Sequence, residues 1–199
     1  MKKLILTSLF AITLSIGHSQ VLTQASVTEG FSAGIDIGYA NWNQEALTDG
    51  ALGGIGFTLE ASYGFNEHIQ AFVNYMLAPS VDSGTDLIES YPVSQVGAGA
   101  RFIFGGTTSQ WRPYLQAAIS QHKVSFDDDL GFSNELSGLF TGIGGGILYY
   151  IQPNLALNLN AQLDYGTYDS ITVDGQGVEG FEFDANTMRI MIGVRYTFE

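Results

Sequence analysis

In the stretch "LALNLNAQLDYG" (155–166), Leu155, Leu157, Leu159, Ala161, Leu163 and Tyr165 alternate with Ala156, Asn158, Asn160, Gln162, Asp164 and Gly166. A period of two over twelve residues puts the first set on one face of an extended chain and the second on the other, and no helical repeat fits it. The same alternation runs through "GFTLEASY", where Phe57, Leu59, Ala61 and Tyr63 oppose Gly56, Thr58, Glu60 and Ser62. It returns in "MRIMIGVRYTF", where Met188, Ile190, Ile192, Val194, Tyr196 and Phe198 oppose Arg189, Met191, Gly193, Arg195 and Thr197. The stretch "GLFTGIGGGILYY" is ambiguous, because its glycines fall on both faces.

Extended segments are expected over 31–42, 51–63, 68–78, 91–104, 111–124, 136–151, 155–168 and 185–198. They exceed the usual five or six residues of globular strands and suit tilted strands that cross a bilayer. The connections alternate in length. "GFNE" (64–67), "GGTTSQ" (105–110) and "QPN" (152–154) are short, whereas 43–50, 79–90, 125–135 and 169–184 are long. Eight strands joined in this way predict an all-β, antiparallel, up-and-down transmembrane barrel with tight periplasmic turns and longer external loops.

Which face meets the interior follows from what each carries. A soluble eight-stranded barrel turns its apolar side chains inward and scatters charges outside. Here the polar faces hold Asn, Gln, Thr, Ser and Gly with few charges. The apolar faces are aliphatic, with Tyr39, Tyr63, Tyr75, Trp111, Tyr149, Tyr165, Tyr196 and Phe198 placed towards strand ends as interfacial girdles require. The leucines therefore face lipid and the asparagines fill the middle. A bilayer leaves no backbone group unpaired, so the sheet must close.

The ends and the charge agree. "MKKLILTSLFAITLSIGHSQ" has a positive start at Lys2 and Lys3, an apolar core from Leu4 to Ile16, and small residues at Gly17 and Ser19. This predicts a signal peptide over 1–19, too short to span a bilayer, and a barrel domain over 20–199, with cleavage after Ala25 as the alternative. The chain has no cysteine, which excludes disulfides and thiolate metal sites. After the signal, only Arg101, Arg112, Lys123, Arg189 and Arg195 face 20 acidic residues, a balance that excludes nucleic acid as a partner. The four long connections carry 14 of those acids and no Lys or Arg, so one end of the molecule is strongly negative.

"RPYLQAAIS" (112–120), "GIGGGILYYIQPNLALNLNAQLDY" (142–165) and "MIGVRYTF" (191–198) resemble strands five, six to seven, and eight of the OmpA/OmpX-type eight-stranded outer-membrane barrels. The resemblance implies a Gram-negative outer membrane and lipid and lipopolysaccharide as surroundings. A monomer without a cofactor is expected, and because the chain stops at the eighth strand no peptidoglycan-binding domain like that of full-length OmpA proteins is expected to follow. Such barrels further imply two kinds of non-catalytic role: envelope integrity, or contact with a host, phage or neighbouring cell through the external loops. Lipid A deacylases and palmitoyltransferases share the strand number and supply an enzymatic alternative.

The chain offers little for catalysis. After the signal only His68 and His122 remain, and Ser120 and His122 share a face with Asp127 nearby. A Ser–His–acid set requires mutual hydrogen bonds and an oxyanion site. The phase of Ser120 and His122, shared with Tyr114, Gln116 and Ala118, points into the barrel, where a lipid A deacylase has no use for a nucleophile. The glycine runs 53–57, 97–100 and 142–146 lack the Lys-Ser/Thr ending of a phosphate loop. "FDDDL" (126–130) lacks the spacing of a calcium loop, although carboxylates beside lipopolysaccharide are able to share bridging Ca²⁺ or Mg²⁺. No metal site is expected.

A third possibility is a pore. Eight strands enclose a lumen that side chains can fill. By phase, the inward charges are Asp36, Glu60 and Asp164 against Arg101, Arg189 and Arg195. Such a balance favours an ion-paired plug over a conducting channel and leaves room for a small leak at most. Counting heights above the turns, Asp36, Glu60, Arg101 and Arg195 share a lower layer, with Asp164 and Arg189 as a separate upper pair.

Overall fold

The computed structural model describes residues 25–44, 52–85, 88–127, 133–173, 176–178 and 182–198. The expected signal peptide over 1–19 lies outside them. All regular structure among the described residues is strand: β1 (Gly30–Gln44), β2 (Leu52–Gly64), β3 (Ile69–Thr85), β4 (Ile88–Ile103), β5 (Trp111–Asp127), β6 (Ser133–Gln152), β7 (Leu155–Val173), a short β8 (Gln176–Val178) and β9 (Phe183–Thr197). Each strand pairs antiparallel with the next around a ring, in which β1 pairs with β9 and β7 with both β6 and β9. Among the described residues β8 pairs only with the far end of β7, from Ile171 to Val173, and stands outside the eight-stranded barrel.

Alternation decides the faces in the sense expected. Ile35, Leu59, Val73, Val96, Leu115, Ile119, Ile143, Leu159 and Ile192 are exposed around the whole circumference, while Asn158, Gln162 and Asp164 are buried. An apolar surface so continuous exceeds the few hundred Å² that a soluble monomer exposes, and it needs hydrocarbon to cover it. At the short-turn end, aromatic pairs edge the belt, with ring centroids of Phe31 and Tyr63 at 4.9 Å, Phe102 and Phe104 at 5.0 Å, and Tyr196 and Phe198 at 5.2 Å. Trp111 and Tyr149 lie at 4.4 Å. Tyr75 departs from the expected girdle. It lies opposite Leu59 and Val96, within the aliphatic belt. Asn160 and Leu155 are half-buried, neither fully inside nor fully out.

The long connections also differ from expectation. Most of 79–90, 125–135 and 169–173 continues as paired strand: Val81 faces Tyr91, Ser125 faces Glu135, and Thr172 faces Glu135 and Gly177. Beyond the bilayer both faces of a hairpin are wet, so the apolar–polar alternation that signals a strand stops while backbone pairing continues. The tip of the first connection, with Glu45 and Asp49, and the side chains of "FDDDL" lie outside the described residues.

Candidate functional site

The interior is the part of the molecule where polar chemistry concentrates, and it is built in three layers. The middle layer centres on Arg101 of β4. Its Nη1 and Nη2 donate to Oε1 and Oε2 of Glu60 on β2 at 3.1 and 2.9 Å. Nη1 also donates to Gln70 Oε1 at 2.8 Å, and Nε and Nη2 donate to Gln116 Oε1 at 3.1 and 2.9 Å. The guanidinium stacks over Tyr114 and Phe72, 4.5 and 5.0 Å from their ring centroids. Arg195 of β9 reaches the same carboxylate, with Nη2 2.6 Å from Glu60 Oε1. One buried acid thus faces two buried guanidiniums, the planar donor fork of arginine serving several strands together.

Asp36 joins this layer through an amide: Asn158 Nδ2 donates to its Oδ1 at 2.8 Å, and Tyr114 Oη donates to Asn158 Oδ1 at 2.8 Å. Asp164 and Arg189 meet higher up at 3.9 Å. They are not a separate pair. Gln116 Nε2 donates to Gln162 Oε1 at 2.7 Å and Gln162 Nε2 to Asp164 Oδ1 at 2.6 Å, which connects Arg101 to Asp164 in one continuous chain. Heights counted along strands see only the charges. The glutamines that bridge the heights are invisible to that count. Arg189 Nη1 also donates to Gln95 Oε1 at 2.6 Å. The inward carboxylates need space opposite: a Cβ on Gly193 would collide with Asp36 Oδ1, and one on Gly142 with Asp164 Oδ1. The void left among these side chains is about 10 Å³, the margin for a single water.

Above this layer the interior turns apolar, which the polar-inside expectation did not contain. Trp42, Met76, Val81, Val93, Val124, Leu136, Phe140 and Tyr168 pack there as one buried cluster. His122 belongs to it, stacked on Phe140 with ring centroids 3.9 Å apart and with Nε2 3.1 Å from Ser120 Oγ. Its Nδ1 has no hydrogen-bond partner. A Ser–His–acid relay needs that nitrogen held by a carboxylate, and the side chain of the expected acid, Asp127, lies outside the described residues. Ser120 and His122 are both buried inside, away from the lipid-facing wall.

Below the ionic layer lies a residue the charge count missed. Arg112 is fully buried, in phase with Tyr114 and Gln116, so the buried charges are four cations and three acids among the described residues. The phase that placed Tyr114 inside also places Arg112 there; its position at the very start of β5 hid it. Arg112 Nη2 donates to the carbonyl oxygens of Glu67 and Gly105 at 2.5 and 3.1 Å, and Nη1 to the hydroxyls of Thr28 and Ser26 at 3.3 and 3.5 Å. Ile103, Tyr114, Leu148, Tyr150 and Ala156 form a small apolar cluster at this end.

A closed ring of eight antiparallel strands, apolar outside and filled inside, defines a transmembrane β-barrel of the outer-membrane type, and its surface belongs in that membrane. Solved outer-membrane barrels share the fold. Neisserial surface protein A superposes with a TM-score of 0.63 at 22% identity, over 85% of this chain and 98% of that one. Ail, the attachment invasion locus protein of Yersinia pestis, gives 0.51 at 21% over 85% and 100%, and it is also known in complex with the heparin analogue sucrose octasulfate. A major outer membrane protein from Thermus thermophilus gives 0.50 at 14% over 83% and 99%. By sequence, no protein-family model and no curated protein matches the chain.

Proposed function

We propose that the protein is a non-catalytic, closed outer-membrane barrel that supports envelope integrity and meets external partners through its extended hairpins. The observation that carries this reading is the filled interior. Within the ionic layer the void is about 10 Å³, and an apolar layer is packed above it, an arrangement that favours a plug over a conducting lumen. What remains available for interaction is the end where the strands run on beyond the belt.

The charge of that end narrows the partner. The four connections there carry 14 acids and no Lys or Arg. Every arginine of the chain is buried, and the ammonium of Lys123, on the outer face of β5, is tied to Glu135 at 2.6 Å. Such a surface repels a sulfated sugar of the kind solved with Ail and suits a partner with basic groups, or an anionic lipid headgroup bridged by a divalent cation. A deletion strain assayed for detergent sensitivity and for adhesion tests the proposal. Loss of barrier with adhesion intact supports the envelope role, the reverse supports surface contact, and a change in lipid A mass in the same strain would overturn the non-catalytic reading.

A further inference from the structure

The chain ahead of β1 does not simply trail away. From Gly30, whose φ of +88° is a left-handed conformation, it folds back across the short-turn mouth of the barrel. Ser26 N donates to Thr107 O at 2.7 Å and Val27 N to Pro153 O at 2.6 Å, which ties the strap to two different turns. Ser26 Oγ donates to Thr107 O at 2.9 Å, and the hydroxyls of Ser26 and Thr28 accept from Arg112. Both side chains are buried, whereas Ala25 and Glu29 on either side are exposed. The seat is fitted to the backbone of the strap: a Cβ on Gly64 would collide with the carbonyl oxygen of Thr28.

We infer that residues 25–29 are a hinged lid over the short-turn mouth, latched by Arg112 and able to open while the barrel stays closed. The contacts that hold the strap differ in kind from those that hold the wall. The wall is a continuous ladder through which every strand is paired on both sides. The strap has two backbone bonds, one bond from the Ser26 hydroxyl to the Thr107 carbonyl and two hydroxyls in a guanidinium's reach, and it buries no large apolar side chain. Its release removes no barrel pairing, leaves Arg112 its carbonyl partners on the turns, and uncovers the arginine and the small apolar cluster beneath. The ionic layer above does not depend on it. Opening therefore exposes Arg112 and the small apolar cluster to water, with the ionic layer above still in place.

The chain has no cysteine, so a single introduced thiol reports on access. Ala156→Cys places one in the apolar cluster just inside the mouth, and Ala118→Cys places one deeper on β5; both alanines are buried. Purified protein in detergent is treated with a charged, water-soluble thiol reagent, and closure of the barrel is followed by β-sheet circular dichroism. Gly64→Ala in the Ala156→Cys background displaces the strap and should speed labelling at least tenfold, with Ala118→Cys unchanged. The pair Ser26→Ala and Thr28→Ala should act in the same direction without substituting any turn residue. Equal rates with and without the strap substitutions would overturn the lid. So would acceleration at both thiols, which would mean that the barrel as a whole had loosened, and so would fast labelling of Ala156→Cys in the otherwise unchanged chain.

Discussion

Glu60 stands between two guanidiniums, and this makes the cost of removing charges from the interior unequal. In Glu60→Ala, Arg101 and Arg195 both lose their carboxylate. Arg101 keeps the oxygens of Gln70 and Gln116, but Arg195, whose Nε and Nη1 have no hydrogen-bond partner among the described residues, loses its 2.6 Å ion pair. A buried charge left without its partner costs about 3–5 kcal/mol. In Arg101→Ala, Glu60 retains Arg195, so the loss is that of charge-assisted hydrogen bonds, roughly 1.5–3 kcal/mol, together with the contacts to the Phe72 and Tyr114 rings. Glu60→Ala should therefore be the more damaging change, and the double variant should be less damaging than the sum by about 0.5–3 kcal/mol. Urea unfolding in detergent, read by the fluorescence of Trp42 in the upper interior, measures all three variants in one assay. Losses that add to within about 0.5 kcal/mol, or an Arg101→Ala variant weaker than Glu60→Ala, would refute the shared-carboxylate network and the plug built on it.

Other consequences are open to simpler tests. Leu159→Arg, on the lipid face, should destabilise the barrel by about 2–4 kcal/mol if it lies near the midplane, and a neutral result in lipid vesicles would contradict the placement of the belt. Phe140→Ala, which opens the apolar cap above the ionic layer, should cost about 3–5 kcal/mol as a cavity; a loss below about 1 kcal/mol would mean that the cap is loosely packed. Protease or antibody applied to intact cells should reach 79–90, 125–135 and 169–184 ahead of "GFNE", "GGTTSQ" or "QPN", and cleavage confined to the short turns would invert the topology. Binding of a basic partner to the hairpin end should weaken as salt rises, since exposed charges are screened beyond about 8 Å at physiological ionic strength; tight binding of a sulfated polysaccharide would contradict the acidic-surface argument.

How much of this was legible in the sequence depended on whether one rule governed a stretch. Through the bilayer each residue has one of two environments, so alternation in 155–166 and 188–198 identified both the strands and their faces. Outside the bilayer that contrast disappears, and the strand extensions at 79–85, 125–127 and 169–173 were not readable as strands although their backbones pair. Inside, charges in phase were visible, but Phe140 and Trp42 were not recognisable as lumen residues, because an apolar residue in an ambiguous glycine-rich stretch or at a strand end carries no sign of its side. Arg112 was hidden by position alone. The strap was beyond reach, since its residues "ASVTE" alternate too briefly, and only the turns they bond to, far along the chain, give them a fixed place.

The arginines connect these findings. A barrel of eight strands has a lumen that must be filled, and a long side chain with five fixed donors fills it while cross-linking strands that are not neighbours. Arg101 on β4 binds β2, β3 and β5. Arg195 on β9 reaches past β1 to β2. Arg189 on β9 contacts β3, β4 and β7. Arg112 on β5 binds the turns and the strap. With all four committed to the interior, the wall and rim keep one lysine, already paired, against the acids of the hairpins. The strong external charge is thus the counterpart of the way the barrel is closed. Cations hold the inside together, and most of the acids fall in the four long connections.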